Sequence, residues 1–180
     1  MTDSEVQSAI LEMGRKARSA SRELVKLTAA QKNDILRAMA DGLVAREALI
    51  LEANSEDLAQ AETNGLSKAM IDRLMLNSKR LAAVAQAVRE VADLPDPVGE
   101  VLADWTRPNG LRIVKKRVPI GVIGIIFESR PNVTTDAASL CFKTSNATIL
   151  RGGSEAIHSN TALASALQDA GAAAGLPANS

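Results

Sequence analysis

The sequence predicts an α/β protein: a run of helices, a β-hairpin arm, then the opening βαβα portion of an open parallel sheet, left incomplete. Three observations carry that prediction. Amphipathic apolar spacing recurs through the first half of the chain. The two prolines of Leu94-Pro-Asp-Pro97 end it. Beyond them Val122-Ile-Gly-Ile-Ile-Phe127 and Ala147-Thr-Ile-Leu150 are short apolar runs with one helical stretch between, which is how parallel strands joined by a crossover read. The expected organisation is a helical portion over residues 1–94, a hairpin arm over 95–119 and the start of the sheet over 120–180.

Thr2 or Ser4 caps the first helix, whose Val6, Ile10, Met13 and Ala17 recur at helical spacing. Thr28 opens the second, with Ile35, Leu36, Met39 and Leu43 on one face. Residues 48–62 continue helically to Asn64-Gly65, a good C-terminal stop. Residues 66–76 give a short helix. Asn77 or Ser78 caps the next one, which carries Leu81, Val84, Val88 and Val91. Residues 98–106 and 111–118 are then β-like, and Asn109-Gly110 between them marks a hairpin. Neither face of its second strand is cleanly apolar: Leu111, Ile113, Lys115 and Arg117 share one, and Arg112, Val114, Lys116 and Val118 share the other. The ribbon is expected to project from the body or to pack on another subunit. Lys115-Lys-Arg117 reads as solvated charge that deters edge pairing rather than as a polyanion site.

The apolar run 122–127 suits a strand covered on both faces. Its carboxyl end is Glu128-Ser-Arg-Pro-Asn132, where Ser129 is placed as N-cap and Pro131 in the first turn of a helix. That helix closes at Thr144-Ser-Asn146, and the second strand ends in Arg151-Gly-Gly153. Ser154 caps a last helix from Glu155 to about Ala170, ended by Gly171 and Gly175-Leu-Pro177. The crossover should be right-handed, and ligands of such sheets sit at the carboxyl ends of the strands. The exposed N–H groups at Ser129 and Arg130, with the Arg130 guanidinium, suit a phosphate or carboxylate.

Charge balances at 21 basic and 21 acidic residues, so no polyanion-binding field is implied. Trp105, Phe127 and Phe142 are the only aromatics, which counts against base-stacking platforms for nucleic acid. One Cys and one His exclude a disulfide framework and count strongly against a Cys/His metal site. Cys141 lies mid-helix among apolar residues with no cation near in sequence, the setting of a packed thiol rather than a nucleophile. His158, alone near the start of the last helix, reads as structural. The opening MTDSEVQSAI lacks the basic region and apolar core of a secretory signal, and no apolar run approaches the ~20 residues that span a membrane. A soluble, cytoplasmic protein is expected.

The segment RVPIGVIGIIFESRPNVTTDAASLCFKTSNATILRGG, Arg117 to Gly153, resembles the cofactor-binding segment of the γ-glutamyl phosphate reductases (glutamate-5-semialdehyde dehydrogenases), a family of the aldehyde dehydrogenase superfamily. Gly65-Leu-Ser-Lys-Ala-Met-Ile-Asp-Arg-Leu-Met-Leu-Asn77 and Leu94-Pro-Asp-Pro-Val-Gly99 are similar to that family too, and the likeness extends to Gly175. The resemblance implies an aldehyde dehydrogenase-like, Rossmann-like sheet with NADP(H) as cofactor. It implies reduction of L-glutamyl 5-phosphate to L-glutamate 5-semialdehyde in proline biosynthesis. Asn132 is the nearest match to the superfamily Asn that donates to the developing oxyanion. The loop is longer than the usual Trp-Asn before Phe-Pro, which leaves Arg130 as the alternative. Arg151 matches a Lys that reaches the adenosine ribose or 2′-phosphate, and Gly152 and Gly153 would let backbone approach the ribose. Gly121 and Gly124 do not make a G-x-G-x-x-G, and the superfamily binds its cofactor without one.

The family's nucleophilic cysteine lies in its second half. The resemblance therefore implies an N-terminal part that is inactive alone. As partners it implies a small-molecule substrate, further copies of the chain in a homo-oligomer, and a functional association with glutamate 5-kinase. The reading from another class is a non-catalytic nucleotide-binding or oligomerisation module of the same half-fold, with Arg151 on NADP(H) and the 98–118 arm as its partner surface.

Overall fold

The computed structural model describes residues 2–128 and 130–180. Helices α1 (Asp3–Leu24) and α2 (Ala29–Ala45) each open on a reciprocal capping box. Thr2 N donates to Glu5 Oε2 at 2.7 Å and Glu5 N donates to Thr2 Oγ1 at 3.3 Å; Thr28 and Gln31 repeat the pattern. Helix α3 (Glu47–Thr63) ends where Gly65 takes φ +69°. Ser67 and Asn77 cap the short α4 (Lys68–Leu74) and α5 (Ser78–Asp93).

The core centres on α2. Its Ile35, Leu36, Met39 and Leu43 are buried against Leu81, Val84 and Val88 of α5 and against Leu163, Ala166 and Leu167 of the last helix, α7 (Ile157–Ala173). The α2–α7 crossing is close: a Cβ on Gly42 would overlap the Ala170 Cβ and sit 3.2 Å from the Ala166 carbonyl oxygen. Helix α1 departs from its periodicity. Ala17, Ala20 and Leu24 are buried, whereas Val6, Ile10 and Met13 on the expected stripe are exposed. Spacing reports that a helix has an apolar stripe and says nothing of what covers it.

Strands β1 (Val101–Thr106) and β2 (Arg112–Lys116) pair antiparallel around a turn in which Gly110 takes φ +83°. Nearly every residue of the ribbon is exposed. Strands β3 (Val122–Ile126) and β4 (Ala147–Arg151) pair in parallel, Val122 opposite Ala147 through Ile126 opposite Arg151, with α6 (Asn132–Lys143) as the crossover. Coverage of β3 on both faces is not what the structure shows: Ile126 and the nearby Ile120 are each 81% exposed. The apolar run fits a strand between layers; here Val122 packs on the core while Ile126, four residues on along the same face, lies open.

The start of α7 also differs from expectation. Ser154 opens a 3₁₀ turn (Ser154–Ala156) and caps nothing. The cap comes from α3 instead: His158 N and Ser159 N donate to the Asp57 carboxylate at 3.1 and 2.7 Å, and Ser159 Oγ donates to it at 2.5 Å. A buried carboxylate on a helix N-terminus satisfies orphan N–H groups and is attracted by the positive end of the helix dipole. Gly171 lies inside the helix, where a Cβ would meet Met39 Cε at 2.8 Å. The helix ends in a Schellman motif, with Gly175 at φ +99° and Leu176 N donating to the Gly171 carbonyl at 2.8 Å.

Two buried lysines hold the βαβ unit to the helices. Lys32 Nζ of α2 donates to the Lys143 carbonyl (3.1 Å) and Ser145 Oγ (3.0 Å), and pairs with Asp96 Oδ2 at 2.5 Å. Lys143 Nζ donates to Asn33 Oδ1 (2.6 Å) and the Ala92 carbonyl (2.8 Å). Burial pushes the Lys143 pKa below the ordinary lysine value, with the Asp96 charge opposing that shift. No helix among the described residues is long and apolar enough to cross a membrane.

Candidate functional site

The parallel register brings the carboxyl ends of β3 and β4 together. Phe127 N donates to the Arg151 carbonyl at 3.0 Å, carrying the ladder one step beyond the strands. The Glu128–Asn132 turn and Arg151–Gly153 therefore leave the sheet side by side. That is the edge at which open α/β sheets hold ligands.

After Phe127 the chain tightens at once: Arg130 N donates to the Glu128 carbonyl at 2.8 Å and Val133 N to that of Arg130 at 3.0 Å. Helix α6 begins at Asn132, with Pro131 before it already in the right-handed helical region. Ser129, placed by sequence as the cap, lies outside the described residues. Asn132 is half-buried, and its Nδ2 donates to Asp136 Oδ2, one turn on, at 3.0 Å. An amide nitrogen carries two N–H groups, so one remains for a ligand. Burial pushes the Asp136 carboxyl above its ordinary pKa, and the Asn132 hydrogen bond draws it partly back.

On the neighbouring strand end Arg151 is exposed and has neither ion pair nor side-chain hydrogen bond among the described residues. Gly152 is required from beneath: a Cβ there would overlap Asn160 Nδ2 and stand 3.1 Å from Phe127 Cζ. Thr134 Oγ1 donates to Asn160 Oδ1 at 3.0 Å, whereas Asn160 Nδ2 is buried without a partner. At Gly153 the absent side chain leaves room for Glu155 to fold back, its Cδ 2.5 Å from where a Cβ would stand. A carboxylate thus joins the guanidinium at this end of β4.

A cavity of about 470 Å³ opens in front of Asn132. Helices α4 and α5 supply Arg73, Arg80 and the small Ala83 and Ala87, while Arg130, Asn132 and Asp136 face them. Arg80 is braced, donating to the Met75 carbonyl at 2.9 Å and to Asp72 Oδ1 at 2.7 Å. Arg73 and Arg130 have no ion-pair partner among the described residues. A larger cavity, about 610 Å³, lies between α1, β4, α6 and α7, with a largely apolar lining that includes none of the candidate residues. The smaller one is where charged groups converge, and it is the candidate site.

Cys141 is 7% exposed within α6, and its carbonyl accepts from Asn146 N at 2.9 Å. It packs. His158 places Nδ1 3.3 Å from Glu56 Oε2 and its other ring nitrogen 3.4 Å from Gln60 Nε2, contacts with α3 alone. Among the described residues no group of three or more His, Cys, Asp or Glu could hold a metal. Sequence reasoning missed Asp136 and Arg73. The first was findable, because Asn132 and Asp136 stand four apart on a helix; the second had no local signal.

The model of the aldehyde dehydrogenase family matches residues 2–179. Gamma-glutamyl phosphate reductase from Paramagnetospirillum magneticum is 52% identical over 179 residues, which is 99% of this chain and 42% of that protein. The crystal structure of gamma-glutamyl phosphate reductase from Thermotoga maritima superposes with a TM-score of 0.91 at 44% identity, covering 94% of this chain and 41% of that one. The corresponding enzyme from Saccharomyces cerevisiae gives 0.86 at 33% identity, covering 93% and 44%. The chain therefore spans about two-fifths of the length of the relatives it matches.

Proposed function

The chain belongs to the aldehyde dehydrogenase family, and on that premise we propose that it forms the cofactor- and oxyanion-bearing part of an enzyme that reduces L-glutamyl 5-phosphate to L-glutamate 5-semialdehyde with NADPH. The observation that carries the reading is the juxtaposition of the Asn132 turn and Arg151–Gly153 on one edge of the sheet, joined by the Phe127–Arg151 hydrogen bond. The relatives matched over these residues are named as reductases, which does not favour a non-catalytic module.

The family implies a nicotinamide cofactor, and the residues present fit one. Arg151 offers an unpaired guanidinium whose planar fork suits a 2′-phosphate. The Glu155 carboxylate over Gly153 can accept from a ribose hydroxyl. Bound there, the nicotinamide supplies the hydride. Asn132 donates its free amide N–H to the carbonyl oxygen as negative charge develops, and Asp136 holds that amide in orientation. Arg130, with Ser129 beside it in sequence, takes the leaving phosphate. The thiol nucleophile comes from outside residues 1–180, because Cys141 is buried in packing; these residues alone then have no reductase activity. In the same reading the protein works in the cytoplasm as a homo-oligomer, on the product of glutamate 5-kinase, and its exposed hairpin arm meets another subunit.

Fluorescence titration of the purified chain with NADPH and NADH tests the cofactor half. Arg151→Gln should weaken NADPH binding by about tenfold or more, the loss expected for one charge-assisted interaction, and leave NADH binding nearly unchanged. Equal effects on the two cofactors would remove Arg151 from the 2′-phosphate.

A further inference from the structure

The cavity in front of Asn132 holds more charge than an oxyanion donor requires. From α4 comes Arg73, exposed and without an ion-pair partner among the described residues. From α6 comes Asp136, whose Oδ2 accepts from Asn132 while Oδ1 has no hydrogen-bond partner among the described residues. Between them the floor is Ala83, Val84 and Ala87 of α5, small apolar residues that leave room for a short methylene chain. A cation and an anion across an apolar gap match a ligand that carries both signs at one end. The cavity's size, about 470 Å³, suits a small metabolite.

We propose that this cavity recognises the amino-acid head of the substrate, with Arg73 on its α-carboxylate and the free Oδ1 of Asp136 on its α-ammonium. The assignment rests on the reductase reading above, which places an acyl carbon at Asn132. In a glutamyl chain the α-carbon lies only a few bonds from that carbon, and Asp136 touches Asn132 directly, at 3.0 Å. The same side chain therefore orients the oxyanion donor and meets the head group. Asp136 is half-buried and desolvation disfavours its ionised form, and none of the arginines lining the cavity forms an ion pair with it, so an incoming ammonium can pair with the carboxylate directly. Arg80 does not compete for the ligand, because its guanidinium is committed to Asp72 and the Met75 carbonyl. Selection then falls on α-amino acids with an activated side-chain acyl group, against plain diacids and plain amines.

The test is a titration of the ¹⁵N-labelled chain, followed by amide shifts, with L-glutamate, glutarate (no α-ammonium) and 4-aminobutyrate (no α-carboxylate). L-Glutamate should give saturable shifts in α4, α5 and the first turns of α6, with each of the other two weaker by about tenfold or more. Arg73→Gln should abolish the preference over 4-aminobutyrate only, and Asp136→Asn the preference over glutarate only. Equal affinity for the three probes, selectivity unchanged in both variants, or shifts confined to Arg151–Gly153 would each overturn the proposal. NADPH added to the same sample separates the two readings. Cofactor shifts at Arg151 without glutamate selectivity leave the reductase reading standing and sink this one; glutamate selectivity without NADPH shifts overturns only the Arg151 cofactor assignment of that reading and leaves the head-group assignment at Asn132 in place.

Discussion

Lys32 and Lys143 sit in the interior at 1% and 2% exposure, and of the two Lys32 is ion-paired, to Asp96. Every proton of Lys32 Nζ has a partner, and removing the side chain would leave the Lys143 carbonyl, Ser145 and Asp96 without theirs. Lys32→Met should therefore lower stability by about 2–4 kcal/mol in urea unfolding, well beyond the surface-substitution range. Nothing in the sequence marked these two lysines, since both read as ordinary polar positions and their partners lie more than fifty residues away. Asp136 gives a prediction of opposite sign. Its folded pKa is raised above the unfolded value of 3.8, so the stability it contributes is full below that pH and is lost as pH rises through the folded pKa. Arg73 and Arg80 face it across the cavity and Arg130 stands on its own wall, with Asp72 paired to Arg80. Asp136→Asn, which keeps an oxygen for Asn132, should raise the thermal midpoint at pH 7, and the gain should vanish near pH 3.

At the scale of elements, what could be read depended on where each element's partners lie. Thr2, Thr28, Asn77 and the Asn109-Gly110 turn were legible because their hydrogen bonds close within three residues or across one hairpin. The α7 cap was not, because Asp57 reaches Ser159 from 102 positions away. Asp57→Ala should cost about 2 kcal/mol or more, combining a lost cap with a buried Ser159 hydroxyl proton left without an acceptor, and should raise amide exchange in the first turn of α7. The α2–α7 crossing is equally specific. Gly42→Ala should destabilise by about 1–3 kcal/mol by forcing the helices apart at Ala170, although alanine favours an isolated helix.

For the molecule as a whole, the βαβ pattern was enough to put Asn132 and Arg151 on one edge, because parallel strands joined by a helix must align their carboxyl ends. The opposite wall of the cavity was beyond reach, since Arg73 arrives from α4 through helix packing that no local pattern encodes. The hairpin arm is the other extreme. It buries almost nothing, and its base is closed by Gly99 N to the Arg117 carbonyl and Arg117 N to the Glu100 carbonyl. Replacing residues 100–116 by a short Gly-Ser linker should leave the thermal midpoint within a few degrees of the parent, provided Asp96 is kept for Lys32. A large loss would show that the arm supports the core.

The lysine cluster also predicts an order of events during folding. Lys32 joins positions 111 and 113 residues along the chain, so its ammonium can leave water only after the α6–β4 turn has docked on α2. Contacts of such long separation form late, and a late contact shapes escape from the native state more than entry to it. In a chevron, Lys32→Met should therefore speed unfolding while leaving the refolding limb almost unmoved, which makes this pair of buried charges a kinetic latch on the amino-terminal end of β4, opposite the edge that carries Asn132 and Arg151.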